Sequence, residues 1–133
     1  MNLVVDANIL FAALIKEGAT AELLTNEKLQ LFAPKFLFEE FTNYKELILK
    51  KTHRSPEEFS QYLKMLKDLI MIIPRNRILP LMDKARGISP DPKDTVYIAL
   101  ALNCQIWSND KQLKDSQKVV NVYTTQDLIQ LLF

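Results

Sequence analysis

The feature that most constrains this chain is a succession of short apolar runs, rich in β-branched residues, that alternate with segments of helical periodicity. The first run is Leu3-Val4-Val5, and later runs span residues 29–33, 70–73, 105–107 and 119–123. Continuous apolar runs of this length are typical of the buried strands of parallel sheets. Their alternation with helices predicts an α/β domain with a mainly parallel sheet and helices on both faces.

Segments of helical periodicity occupy the intervals between the runs. The clearest start signal follows His53, where Ser55 suits the N-cap, Pro56 suits the first helical position and Glu58 completes a capping box. Pro34 likewise suits the first turn of the helix after it, and Gly18 and Gly87 each end a helix. Helices are predicted at residues 9–15, 20–25, 35–50, 56–69, 79–86, 95–103 and 125–133.

Length and composition indicate a single domain spanning residues 1–133. The chain has no repeat and no linker-like stretch, and its net charge of +1 neither supports nor excludes nucleic acid as a partner. The N-terminus lacks the basic start of a signal peptide, and no apolar run reaches the roughly 18 residues of a membrane helix. The single Cys104 is expected to be a small buried hydrophobe. These features predict a cytoplasmic protein without a membrane anchor.

Two acidic residues lie immediately or shortly after predicted strands. Asp6 comes after Leu3-Val4-Val5, and Asp110 follows the strand at residues 105–107 by three positions. In parallel α/β sheets the active site lies beyond the carboxyl ends of the strands, which favours a functional role for both carboxylates. Capping of the next helix is an equally good explanation for either residue taken alone.

The adjacent residues Glu39 and Glu40 are separated by their helical phase. Glu40 falls within the apolar stripe of its helix, whereas Glu39 points away from that stripe toward water. A carboxylate on a core-facing stripe requires a metal ion, a cation or several donors. We therefore expect Glu40 to belong to a site and Glu39 to be a solvated surface residue.

Asp91 and Asp94 flank Pro92-Lys93 in a stiff loop that leads into an apolar helix. Each has a structural explanation, as a turn residue or as a helix cap. The hypothesis of a site depends on convergence, because Asp6, Glu40, Asp94 and Asp110 would share one edge of the sheet. Carboxylates packed together repel one another, and a divalent cation removes that conflict.

Oxygen ligands of this kind suit Mg²⁺ or Mn²⁺, and a chain with one Cys and one His cannot build a typical zinc site. Such a site is suited to phosphodiester hydrolysis. One metal ion activates water, and a second ion about 4 Å away stabilises the leaving oxygen.

Other catalytic arrangements find little support in the sequence. The only histidine, His53, lies in a basic turn far from the acids, so a Ser/His/Asp triad is not expected. Lys50, Lys51 and Arg54 surround it and are candidates for contacts with an RNA backbone, although a solvated turn is the simpler explanation. Two distant glycines cannot form a phosphate-binding glycine loop.

Taken together, these motifs resemble the PIN-domain family, which includes the VapC-like toxins of toxin–antitoxin pairs. The resemblance covers essentially the whole chain and involves a D-P-x-D loop. It is carried by Val4-Val5-Asp6-Ala7-Asn8, Glu40, Asp91-Pro92-Lys93-Asp94 with Ala99-Leu100-Ala101, and Trp107-Ser108-Asn109-Asp110. It implies a three-layer α/β/α fold with four to five strands, Mg²⁺- or Mn²⁺-dependent cleavage of RNA, a homodimer, and an antitoxin partner whose C-terminal segment occupies the active-site groove.

The resemblance also assigns roles to individual residues. Asp6, Glu40, Asp94 and Asp110 match the four acidic positions of the family, and Asp91 is similar to an additional acid that is either a fifth ligand or a neighbour of the ligands. Asn8 and Ser108 match supporting polar positions. Trp107 departs from the small aliphatic residue expected before Ser108. Asp115 is the alternative to Asp110, and the position of Asp110 at a strand end favours Asp110.

Three other functions remain open at the level of sequence. A phosphatase of the haloacid dehalogenase type also has Asp after its first strand, but it uses a second Asp two residues later, where this chain has Asn8. A receiver-like domain should have a late strand that ends in Lys, which is not found. A non-catalytic module that binds RNA or protein is also compatible with the motifs.

Overall fold

A computed structural model describes residues 1–15, 18–78, 98–99, 102–116 and 119–133. The described strands form one sheet, in which every neighbouring pair is parallel. They are β1 (Asn2–Val5), β2 (Gln30–Pro34), β3 (Ile70–Ile73), β4 (Gln105–Trp107) and β5 (Val122–Tyr123). Their order across the sheet is β3-β2-β1-β4-β5, so that the first strand of the chain lies in the centre.

Helices connect the strands throughout the described residues. They are α1 (Ala7–Ile15), α2 (Ala19–Leu24), α3 (Lys35–Asn43), α4 (Lys45–Thr52), α5 (Pro56–Leu69), α6 (Arg75–Ile78), α7 (Lys111–Ser116) and α8 (Thr125–Leu132). Residues 98, 99 and 102 are also helical, within the helix predicted at 95–103. The helix predicted at 79–86 and the loop predicted at 89–94 lie outside the described residues.

Alternating side chains of the strands face two separate apolar layers. Leu3, Val5 and Trp107 belong to a large cluster that contains buried residues of α1, α2, α3, α5 and α8. Val4 and Ile106 face the opposite side, where they pack with other apolar residues that include Ile98, Ala99, Leu102 and Leu113. Helices therefore cover both faces of the sheet, which confirms the three-layer α/β/α prediction.

The carboxyl end of β1 is fixed by its neighbour β4. Val5 pairs with Trp107, and the N–H of Asp6 donates to the carbonyl oxygen of Trp107 at 3.0 Å. Since β1 is the central strand, this bond places Asp6 in the middle of the sheet edge at which parallel α/β proteins bind ligands.

The predicted helix at residues 35–50 is two helices in the structure, α3 and α4, with a break at Tyr44. The hydroxyl of Thr42 donates to the carbonyl oxygen of Phe38 at 2.9 Å, a back-bond of the kind that bends helices. The break leaves Tyr44 and Leu47 55% and 48% exposed, whereas Phe41 and Ile48 are buried. The predicted single apolar stripe is therefore wrong at Tyr44 and Leu47, whereas Ile48 is buried as expected.

Two smaller differences concern the ends of elements, and a third is an additional helix. Pro34 is the last residue of β2 and precedes α3 with an extended backbone, rather than lying in the first turn of the helix. Strand β5 is shorter than predicted, because β4 offers it only Ile106 and Trp107 as partners. Helix α7 was not predicted, since its six mostly polar residues carry little apolar periodicity.

The turn between α4 and α5 agrees with the prediction. Ser55 and Glu58 form the reciprocal capping box, Pro56 is the first residue of α5, and exposed His53 adopts a left-handed conformation at the end of α4. No helix in the described ranges is long and apolar enough to cross a membrane.

Arg54 and Tyr62 form a contact that ties this turn to α1. The Nε of Arg54 donates to the carbonyl oxygen of Leu14 at 3.1 Å, and its guanidinium lies 5.6 Å from the centre of the Tyr62 ring. Within the described part of the chain, the buried Tyr62 hydroxyl has no hydrogen-bond partner. This burial raises the pKa of Tyr62 to about 12, although the nearby Arg54 acts in the opposite direction.

We expect Tyr62→Phe to raise the free energy of unfolding and to reduce the loss of that free energy at alkaline pH. Removing a buried hydroxyl without a partner should raise the free energy of unfolding at pH 7 by about 1 kcal/mol. In the wild type the folded state keeps the phenol proton that the unfolded chain loses above its ordinary pKa of 10.0, so stability falls between pH 10 and about 12. Urea unfolding from pH 7 to pH 12 measures both effects.

The control for this experiment is Tyr44→Phe, because Tyr44 is 55% exposed. It should follow the wild-type curve at every pH. If Tyr62→Phe retained the wild-type loss of stability above pH 10, the assignment of that loss to the Tyr62 hydroxyl would be wrong.

Candidate active site at the carboxyl edge of the sheet

Asp6 lies between the carboxyl end of β1 and the start of α1. Its Oδ1 accepts a hydrogen bond from the N–H of Ala7 at 2.8 Å. Its Oδ2 accepts from the hydroxyl of Ser108 at 2.7 Å and from the amide of Asn8 at 3.3 Å. The carboxylate is thus held in one orientation by donors from two neighbouring strand ends.

Ser108, which directly follows β4, is fully buried. Its hydroxyl donates to Asp6 and accepts from the N–H of Asp110 and from the amide of Asn8, both at 3.1 Å. A serine hydroxyl has one proton and two acceptor lone pairs, and all three are used here. The Ser108 proton is consequently aimed at Asp6.

The side-chain amide of Asn8 is oriented by the chain after β4. Its Oδ1 accepts from the backbone N–H of Asn109 at 3.3 Å, and a backbone N–H can only donate. The Nδ2 group of Asn8 must therefore face Asp6 and Ser108. Asn8 and Ser108, the two predicted supporting residues, both contact Asp6.

Asp110 has an observed structural function. Its Oδ1 accepts from the N–H groups of Gln112 and Leu113, at 3.0 and 3.2 Å, and so caps α7. Its own N–H donates to Ser108, which links it through one hydroxyl to Asp6. Asp115, the alternative at the sequence level, is an exposed residue within α7.

Glu40 and Asp6 line the same cavity, of about 110 Å³, whose other described lining residues are apolar and belong to β1, β2, α1, α3 and the helical segment at Ile98. Glu39 lines a different cavity together with Lys35 and Lys67. The two glutamates thus point to different sides of α3, as their positions around the helix axis predict. The expectation that Glu40 faces the core is wrong, however, because its side chain is exposed at the end of the apolar stripe.

The structure describes three of the five predicted ligands, Asp6, Glu40 and Asp110. Asp91 and Asp94 lie outside the described residues. Within the described ranges, no group of three Asp, Glu, His or Cys residues is close enough to hold a metal ion, so Asp6, Glu40 and Asp110 do not form such a group by themselves. Asp6 is associated with Glu40 through the cavity and with Asp110 through Ser108.

The donors at this edge nevertheless fit a hard divalent cation. The polar side chains described around the cavity and its rim carry carboxylate, amide and hydroxyl oxygens. Mg²⁺ typically uses one or two protein carboxylates and completes its octahedron with water and substrate phosphate. Asp6 and Glu40 supply two carboxylates of that kind.

The predicted RNA-contact residues lie on α4 and in the turn after it. Lys50 and Lys51 are exposed in the last turn of α4, but Arg54 is engaged with Leu14 and Tyr62. Leu14 lies eight residues beyond Asp6, or about 12 Å of helical rise. Arg54 therefore has a structural function away from Asp6.

Sequence reasoning missed the roles of Asn109 and Thr125, which border the site. The Oδ1 of Asn109 accepts from the N–H of Thr125 at 2.8 Å, and the hydroxyl of Thr125 accepts from Nε1 of Trp107 at 3.2 Å. Trp107 was noted only as an unusual residue. Its indole N–H, which needs a partner when buried, was the signal that could have indicated this contact.

We expect Ser108→Ala to lower the free energy of unfolding by about 2 kcal/mol, because three buried or partly buried polar groups would lose their shared partner. Chemical denaturation measures this loss. Ser60→Ala is the control, since Ser60 is exposed in the middle of α5 and should change stability little. Equal effects of the two substitutions would show that the Ser108 hydroxyl bonds contribute nothing measurable.

The fold and the sequence both have counterparts among known proteins. The crystal structure of PAE2754 from Pyrobaculum aerophilum is similar, with a TM-score of 0.61 and 19% identity over 99% of this chain and 89% of that chain. No curated protein sequence matches the chain. The family model of the PIN domain, a family whose members are generally nucleases, matches residues 4–130. Because this match covers nearly all of the 133 residues, the chain belongs to the PIN-domain family.

Proposed function

We propose that this protein is a metal-dependent endoribonuclease whose reaction centre is the cavity between Asp6 and Glu40. The observation that carries the proposal is the fixed orientation of Asp6, whose Oδ2 receives hydrogen bonds from Ser108 and Asn8 at the centre of the sheet edge. A carboxylate held by surrounding donors is preorganised for binding a cation. Membership of the PIN-domain family supports a nuclease reaction.

The chain would bind Mg²⁺ or Mn²⁺ through Asp6 and Glu40, with Asp94 and Asp110 as further proposed ligands and Asp91 at the margin. A divalent cation bound there would supply positive charge next to the scissile phosphate and promote ionisation of a water molecule. The protein's own contribution is positional. Ser108 and Asn8 hold Asp6, and the apolar walls formed by Val4, Val5 and Leu37 limit the water around the carboxylates.

Asp110 would contribute to the metal site through its second carboxylate oxygen, Oδ2. Its Oδ1 is committed to capping α7, whereas Oδ2 accepts no hydrogen bond from the described part of the chain. A carboxylate can serve two partners in this way, because each oxygen has its own lone pairs. The helix cap would then fix the direction of Oδ2.

RNA is the proposed substrate because PIN nucleases bind RNA, and its phosphodiester provides the anionic oxygens that complete the coordination of such a cation. A strong, uniformly basic surface is not required for this. The chain is nearly neutral overall, with a net charge of +1, and we expect affinity for RNA to depend on the cation. Lys50 and Lys51 are the exposed cationic residues proposed to contact the RNA backbone.

We expect the purified protein to cleave single-stranded RNA in Mn²⁺ or Mg²⁺ and to lose this activity in EDTA. Asp6→Asn and Asp94→Asn should reduce cleavage by at least about 100-fold, since removing a ligand should exceed the 10- to 100-fold effect of removing a residue that only orients one. Circular dichroism should show that the variants remain folded. Cleavage of a fluorescent oligonucleotide gives the rates.

The matched pair for this test is Glu40→Gln and Glu39→Gln. The two residues are adjacent, both are exposed, and only Glu40 lines the cavity with Asp6. Loss of cleavage in Glu40→Gln alone supports the proposal. Equal rates for both variants, or undiminished cleavage in EDTA, would contradict it.

A phosphatase reaction is the main competing activity. In the structure, the position that would carry the second acid of a haloacid-dehalogenase-like phosphatase is Asn8, and its amide nitrogen donates to Asp6. This amide cannot act as a general acid in place of a carboxyl group. Hydrolysis of a phosphomonoester without RNA cleavage would favour the phosphatase, and cation-dependent RNA binding without either reaction would favour a non-catalytic module.

The resemblance to VapC-like proteins extends the proposal to a biological role. In this role the ribonuclease is the toxin of a toxin–antitoxin pair, acts as a homodimer, and is inhibited by an antitoxin that occupies the active-site groove. Induced expression should arrest the growth of a bacterial host for the wild type and not for Asp6→Asn. Light scattering of the purified protein determines whether it is a dimer.

A further inference from the structure

The segment that follows β4 is fastened to the start of α8. The hydrogen-bond ladder between β4 and β5 reaches Ser108, whose N–H donates to the carbonyl oxygen of Tyr123 at 3.0 Å. Immediately beyond this bond, the side chain of Asn109 accepts from the N–H of Thr125 at 2.8 Å. Thr125 also accepts from Nε1 of Trp107, so one residue of α8 holds both sides of Ser108.

The same segment determines how Asp6 is presented. The backbone N–H of Asn109 donates to Oδ1 of Asn8 at 3.3 Å, and this bond turns the Nδ2 of Asn8 toward Asp6. Asparagine amides can be reversed end for end, and the reversed Asn8 would direct a carbonyl oxygen at the Asp6 carboxylate. The Asn109 backbone therefore supports, together with the bonds of Asn8 to Ser108 and Asp6, the orientation in which Asn8 donates to that carboxylate.

We infer that Asn109 is a positioning residue of the active site, which acts through Asn8 and Ser108 on Asp6 and is itself held by the N–H of Thr125. The inference rests on the proposed function. Asn109 is exposed, and its side-chain oxygen is used for α8 rather than for the cavity. Helix α8, at the end of the chain, is thereby a structural part of the site.

The bond between Asn109 and Thr125 can be removed from either side. Asn109→Ala deletes the acceptor, and Asn109→Asp keeps an acceptor oxygen in the same place. Thr125 is the first residue of α8 after the Thr124 cap, and proline is well tolerated at this position. Thr124 already has the extended conformation, with φ −79° and ψ 167°, that proline requires of the residue before it.

Thr125→Pro therefore deletes the N–H donor while preserving the helix. It also removes the hydroxyl that accepts from Trp107, and Thr125→Val is the matched control because it removes the hydroxyl and keeps the N–H. Asn121→Ala is a second control, since Asn121 is an exposed asparagine just before β5. Each variant is compared in the full-length protein by calorimetric titration with Mn²⁺ alone and by steady-state cleavage of RNA.

We expect Asn109→Ala and Thr125→Pro to weaken Mn²⁺ binding about tenfold, which is the lower end of the effect of residues that orient metal ligands. They should lower kcat and leave KM for RNA unchanged, because the side-chain oxygen of Asn109 is bonded to Thr125 rather than offered to the cavity. Asn109→Asp should restore both Mn²⁺ affinity and kcat. Thr125→Val should lose less Mn²⁺ affinity and less kcat than Thr125→Pro, because it keeps the N–H that Asn109 accepts from. Asn121→Ala should behave as the wild type does.

Two results would overturn the inference in distinguishable ways. If the wild type binds Mn²⁺ and cleaves RNA, and Asn109→Ala and Thr125→Pro do so equally well, Asn109 does not position the site, although the proposed function stands. If the wild type itself binds no Mn²⁺ and cleaves no RNA, the proposed function fails and the inference fails with it. Thermal unfolding separates both results from a loss of folded protein, and Thr125→Pro remains informative if Asn109→Ala is unstable.

Discussion

The arrangement of the site depends on the hydroxyl of Ser108. Two neighbouring parallel strands, β1 and β4, end side by side, and at that point their ladder is replaced by side-chain bonds. The buried hydroxyl satisfies Asp6, Asn8 and the backbone of Asp110 together. Because a buried polar group without a partner costs about 1–3 kcal/mol, these groups are stable only in their mutual arrangement. The same bonds that allow the strand ends to be buried also orient the carboxylate of Asp6.

Much of the fold and part of the candidate site could be predicted from the sequence because the physical signals are local. The apolar run before Asp6 indicates a central strand, and the parallel α/β pattern places the following residue at the functional edge of the sheet. The capping box at Ser55 and Glu58 is equally local and is present in the structure. The two adjacent glutamates were separated by helical phase alone, and they line different cavities.

The features that sequence did not reveal depend on tertiary contacts or on weak periodicity. The break at Tyr44 is accompanied by a back-bond of Thr42 to the preceding turn, and hydrophobic periodicity carries no signal of such a bond. Glu40 lines the cavity with Asp6 and is exposed, and helical phase alone does not distinguish such a position from one that faces the core. The bond of Asn109 to Thr125 joins residues 16 positions apart, and neither residue type identifies the other.

The position of β1 in the centre of the sheet has a consequence for biosynthesis. Asp6 is translated 102 residues before its partner Ser108. The hydroxyl donor to this carboxylate is therefore absent until β4 has been synthesised, and α8 follows later still. Long-range closures of this kind are slow because the loop entropy is lost before the contact forms. A nascent chain would thus carry a disassembled centre, so that any reactivity awaits synthesis of the strands and the helix that surround Ser108.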